Sequence, residues 1–200
     1  MFETNVLKSI IQNENSKEKI YSYVDSQNLP LKNKEKLAIW SGTGAESIKA
    51  FQLNDKETIK KEFRKKGTFF GNIYDVGIIA YQLKQIINKR GNEVGENIIL
   101  FKGIKSEDID LSKFVVGEVN KFDTHMSTSL NLDTAKDFAK DLNDDGYIVI
   151  MYTHKKVRGA AINSSFNNAP EEYEILLSES QRYMTSFIDE KRKYIYIFVG

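Results

Sequence analysis

Residues 96–104 read ENIILFKGI, and here the period of the chain changes. Ile98 to Phe101 form an unbroken apolar run, as in a strand buried on both faces, and Gly103 punctuates its end. Upstream, residues 1 to about 92 are rich in Lys and Glu and helical in period. NVLKSIIQN and KEKIYSYVDSQ carry apolar residues at three- and four-residue spacing. NKEKLAIWSGTGAESIKAF is predicted as a helix that runs into a Gly-containing turn, with a second helix starting near Ala45. DKETIKKEFRKK is predicted as an exposed helix, and Ile73 to Asn88 alternates faces at helical spacing. Pro30 separates two helices in this reading. Downstream the runs are short, β-branched and aromatic: GYIVIMYT, EYEILL and KYIYIFV. One helix interrupts them, NLDTAKDFAKDL, with Asn131 or Asp133 as its N-cap. The expected class is α+β in a single domain over residues 1–200, a helical lobe (1–92) followed by a β-rich core (93–200).

Composition narrows the chemistry. The chain of 200 residues has 29 basic and 28 acidic side chains, a balance that gives no support to a nucleic-acid or membrane-surface role. No apolar run approaches the roughly 20 residues of a membrane span. With no cysteine, disulfides, zinc-thiolate sites and a Cys nucleophile are excluded. His125 and His154 are the only histidines, too few for a His-rich metal site, and no metal is expected. The start, MFETNVLKSIIQNENSK, lacks the basic head and apolar segment of a secretory leader.

Three stretches of the β-rich half carry possible chemistry. In LFKGI (100–104) a cation ends a buried strand, and the glycine gives a ligand access to the backbone. Taken alone, the same Lys102 is read first as a side chain snorkelling from a strand end. HMSTSLN (125–131) sets three hydroxyls in succession, able to bind a ligand or to brace a loop. PEEYEILL (170–177) puts Glu172 and Glu174 two residues apart, hence on one face of a strand with Tyr173 opposite. Neighbouring carboxylates repel, which raises one pKa unless a cation or donor offsets it. Such a pair is either a solvated strand end or a functional site.

The ordered set is more specific than any member. Strand-Lys-Gly, then Ser-Thr-Ser about 25 residues on, then Glu-x-Glu about 45 residues later, resembles the mono-ADP-ribosyltransferases of the bacterial toxin type, including binary-toxin enzymes and the clostridial Rho-modifying exoenzymes. The likeness runs over residues 30–200. KEKLAIWSGTGAESIKAF is similar to the helix-turn-helix over the nicotinamide cleft, and MSTSLNLDTAKDFA to the STS strand with its following helix. The resemblance implies the ADP-ribosyltransferase fold, a helical lobe packed on a two-sheet β-sandwich, and NAD as substrate. It implies that Glu174 binds the nicotinamide ribose and stabilises the oxocarbenium ion, with Ser127 holding it in place. Thr128 and Ser129 brace the strand. Glu172 faces the acceptor, and a Glu at this position implies arginine on a host protein, actin first. NAD hydrolysis is the implied side activity. Lys102, Gly103, Phe138, Lys140, Lys49 and either Trp40 or Ser41 fall at cofactor-contacting positions. SSFNNAPE matches the substrate-recognition loop, with Phe166, Asn167 and Asn168 as its candidates.

The main departure is Lys102, where the family carries Arg. An Arg fork grips phosphate bidentately, whereas Lys is a mobile point charge. Losing one such contact costs about 1.5–3 kcal/mol. The resemblance also implies a secreted enzyme acting in the host cytosol, with a toxin translocation component as a partner. Two alternatives remain: a degenerate copy of the fold serving as a binding adaptor, and a phage enzyme modifying host proteins in the bacterial cytoplasm.

Overall fold

Asp55, Asn72 and Asn131 each open a helix by the same device. Asp55 accepts from the backbone N–H groups of Glu57 and Thr58 at 3.2 and 3.0 Å, and Asn72 from those of Tyr74 and Asp75 at 2.9 and 3.1 Å. Asn131 accepts from Asp133 N at 3.0 Å, so Asn131, not Asp133, is the cap. Each bond satisfies N–H groups that the first helical turn leaves unpaired. The computed structural model describes residues 16–26, 35–37, 39–40, 44–64, 70–89, 93–140, 146–154, 157–162 and 172–200. Among them are five α-helices: α1 (Lys17–Ser26), α2 (Ala45–Gln52), α3 (Lys56–Phe63), α4 (Ile73–Ile87) and α5 (Leu132–Ala139). The segment NVLKSIIQN and Pro30 lie outside the described residues.

The strands are β1 (Ile99–Ile104), β2 (Val119–Lys121), β3 (Met126–Ser129), β4 (Tyr147–Thr153), β5 (Gly159–Ala161), β6 (Glu174–Leu177), β7 (Arg182–Asp189) and β8 (Tyr194–Val199). They form one sheet in the order β2-β7-β8-β4-β1-β3-β6-β5. Only β4 and β8 run parallel among the paired strands. The two-sheet expectation is therefore corrected to a single hydrogen-bonded sheet. Its sandwich character survives as two wings joined between β1 and β3, where one register pair, Phe101 with Ser129, carries the link. Ile175 and Leu177 of one wing share a buried cluster with Leu100, Val149, Met151, Ile195 and Ile197 of the other.

Alternation along the strands divides the rest of the core. Ile99, Phe101, Ile148 and Ile150 face helix α5 through Ala135 and Ala139. Leu176 points the opposite way from its neighbours and, with Ala160 and Ile162, receives the helical lobe through Leu37, Trp40, Ile48, Val76 and Leu83. This places the helical lobe, α5 and the β1–β3 junction around the same opening.

Candidate active site

The junction of the wings is where the three motif stretches meet. Phe101, Lys102 and Gly103 of β1, Ser127, Thr128 and Ser129 of β3, and Glu172 and Glu174 line one cleft of about 360 Å³. Helix α5 adds Thr134, Ala135 and Phe138, and the helical lobe adds Trp40, Ala45, Glu46 and Lys49. That volume lies in the range of pockets that hold small molecules.

Glu174 starts β6 and is buried, with its side chain hydrogen-bonded by Ser127 Oγ. Register explains the pairing: β3 and β6 are antiparallel, with Ser129 opposite Glu174 and Ser127 opposite Leu176. Burial pushes the Glu174 pKa above the ordinary carboxylate range. The Ser127 hydroxyl opposes that shift, the charge of Glu172 adds to it, and Lys102 and Lys49 pull it back. Lys102 is the mirror case. Burial and the charge of Lys49 pull its pKa down to about 8, against the attraction of Glu174. Its ammonium donates to the backbone carbonyl of Ser127 at 3.3 Å. Carboxylate and ammonium thus each favour the ionised form of the other across the junction.

The other two motif hydroxyls hold backbone. Thr128 Oγ1 donates to the Ile175 carbonyl at 2.6 Å. Ser129 Oγ donates to the Glu172 carbonyl and accepts from Asn131 N at 2.8 Å, tying the acidic stretch to the start of α5.

Two local readings are corrected. Strand alternation does not bring Glu172 beside Glu174, because β6 begins only at Glu174 and Tyr173 has φ +45°, in the left-handed region. A bend turns both carboxylates to the same cleft. Gly103 is required by packing: a Cβ there would lie 1.9 Å from the Ala135 carbonyl oxygen and 2.7 Å from Ala139 N. Helix α5 crosses directly over the glycine, so its backbone, not a ligand, makes the close approach.

Lys49 lines the cleft, paired with Glu46 at 2.8 Å and with its ammonium 5.8 Å from the Trp40 ring centre. Phe138 is 58% exposed at the cleft wall. Lys140 is not among the lining residues, and its ammonium pairs with Asp137 at 2.6 Å. Ser41, Phe166, Asn167 and Asn168 lie outside the described residues. Glu46 and Thr134 were not legible as cleft residues; the Glu46–Lys49 spacing of one helical turn was the available signal. Among the described residues no group of three or more His, Asp or Glu side chains is arranged to hold a metal ion.

The sequence matches the family described as ADP-ribosyltransferase exoenzyme over residues 3–197. Among solved structures, C3stau2 from S. aureus with NAD has 13% identity and a TM-score of 0.65, covering 95% of both chains. Vis, an ADP-ribosyltransferase from Vibrio splendidus solved with agmatine, has 18% identity and a TM-score of 0.57, covering 96% of this chain and 83% of that one. BECa, of a C. perfringens binary enterotoxin and solved with NADH, has 16% identity and a TM-score of 0.63, covering 96% of this chain and 48% of that one. No curated protein shows significant sequence similarity to the chain. The match extends over nearly the full length, and the chain belongs to the ADP-ribosyltransferase exoenzyme family.

Proposed function

We propose that this protein transfers ADP-ribose from NAD to an arginine side chain of a target protein, with NAD hydrolysis as its side reaction. The observation that carries the reading is a buried Glu174 held by Ser127, with Lys102 and Glu172 in the same cleft. Lys102 and Lys49 supply positive charge for a pyrophosphate, and Phe138 and Trp40 supply apolar wall. In the first half of the reaction the bond from ribose C1′ to nicotinamide breaks and its electron pair leaves with nicotinamide. Positive charge grows on the ribose, and a fixed carboxylate at Glu174 stabilises it without reorganisation. In the second half an acceptor nitrogen bonds to C1′ and gives up a proton, for which Glu172 is the base. Arginine fits a carboxylate here because its guanidinium must be oriented and deprotonated from a pKa above about 12. Vis, solved with agmatine, offers a guanidine-bearing compound as a first acceptor. Actin is the first protein acceptor to assay. The proposed setting is a secreted enzyme acting in the host cytosol beside a translocation component.

The test is nicotinamide release from NAD, with and without agmatine. Release should be measurable and should fall about 10²- to 10³-fold in Glu174→Gln, the usual scale for loss of one preorganised electrostatic group. No release from the native chain or from Lys102→Arg would overturn the reading and leave the adaptor alternative standing.

A further inference from the structure

The bend that delivers Glu172 to the cleft is held from outside the β-core. Tyr173 adopts a left-handed φ that a bulky side chain avoids and a glycine would adopt freely. Its ring meets Tyr21 of α1 edge-to-face, with centroids 5.6 Å apart and planes at 85°. Lys17, one turn earlier on the same helix, sets its ammonium 5.5 Å from the Tyr173 centroid. The Tyr21 hydroxyl donates to the carbonyl of Ile162, and Ile162 N–H donates to the carbonyl of Glu174 at 3.0 Å. On the inner side, Ser129 Oγ donates to the Glu172 carbonyl and Leu130 N–H to the Tyr173 carbonyl at 3.3 Å. The bend is thus gripped between β3 inside and α1 outside. Glu174 has further anchors in Ser127 and, as the first residue of β6, in the pairing with β3, whereas Glu172 lies ahead of the strand on the other side of the bend. The grip of α1 therefore bears on Glu172 more than on Glu174.

We propose that α1 is a positioning element for the acceptor half of the reaction, in which Tyr21, assisted by Lys17, fixes the Tyr173 bend and through it the carboxylate of Glu172. This rests on the assignment of Glu172 to the acceptor. Neither residue lines the cleft, so both act through Tyr173 and are positioning residues.

The readout is the ratio of ADP-ribose transfer to agmatine over NAD hydrolysis, which a general loss of folded protein does not move. Tyr21→Ala should lower the ratio about tenfold, the scale of a misplaced catalytic group. Tyr21→Phe keeps the ring edge and should restore the ratio to within about threefold of the native value. Lys17→Met, a change at the helix surface, should lower it about two- to fivefold even if Tyr21→Ala does not fold. Glu172→Gln is the reference and should lower the ratio most. An unchanged ratio in Glu172→Gln overturns the acceptor assignment and this proposal with it. A lowered ratio in Glu172→Gln beside native ratios in Tyr21→Ala and Lys17→Met overturns the positioning role alone. Parallel loss of both activities in those two variants does the same, since it marks α1 as purely structural.

Discussion

Lys102 should give NAD turnover a pH dependence that an arginine at the same position would not have. Its pKa stands at about 8, pulled down by burial and by Lys49. Below pH 8 the ammonium is present to hold an anionic ligand, and above it the charge is lost. If the charged form is the one that captures NAD, kcat/KM for NAD falls about tenfold per pH unit above 8, because kcat/KM reports the free enzyme's ionisations. The fall levels off once the contact is wholly lost. A hydrogen bond to a charged group contributes about 1.5–3 kcal/mol, so the plateau lies roughly ten- to a hundredfold below the neutral value. Lys102→Arg keeps its charge beyond pH 12 and should hold kcat/KM level to about pH 10. The assay is nicotinamide release at low NAD between pH 6.5 and 10 for both chains. A native profile flat to pH 10, or an identical descending limb in Lys102→Arg, would refute the reasoning.

Ser127→Ala removes the hydroxyl that opposes the upward pKa shift of Glu174. The acid limb of kcat/KM should move to higher pH, which a pH–rate profile of nicotinamide release reads directly. Gly103→Ala places a methyl 1.9 Å from the backbone of α5, which must move away as a unit. Overpacking of this kind costs about 1–3 kcal/mol or more, and thermal denaturation should show a melting temperature lower by several degrees. His125 is buried between the helical lobe and β3, with Nε2 3.1 Å from Glu179 Oε2 and its ring edge-to-face with Trp40. Burial holds its pKa below 6.5, with Glu179 acting upward and Lys84 downward. The folded state therefore binds fewer protons than the unfolded chain, and stability is lost as pH falls from 6.5 through the lowered value. His125→Gln should flatten the melting temperature over that range.

The parts of this protein that were legible in its sequence are those that local physics dictates. Helix α4 kept its predicted span because fifteen residues of helical period precede a clear stop. β4 and β8 were readable because each is long enough for its pattern to show. β2 and β5 have three residues each, too few for a period, and are strands only because β7 and β6 pair with them. Ordered spacing pointed to residues that line one cleft, yet two of the reasons given for them were local where the cause is tertiary. Gly103 answers to α5, which the chain reaches some thirty residues later. Tyr173 answers to Tyr21, more than a hundred residues earlier. Lys140, read as a cofactor contact, is paired with Asp137 and is not among the residues that line the cleft.

The electrostatics of the cleft show why a lysine at this position need not mark a decayed site. Glu174 must be ionised to stabilise a cation, but burial works against ionisation. Lys102 and Ser127 act together to offset that penalty. The same burial, with Lys49, weakens the charge on Lys102, and Glu174 offsets part of that. Each group therefore favours the ionised form of the other, and losing either charge changes the pKa of its partner. An arginine would support Glu174 at any pH in use, whereas the lysine supports it only while protonated. Lys102 therefore supports Glu174 in full below about pH 8 and progressively less above it, while both carboxylates line the same cleft.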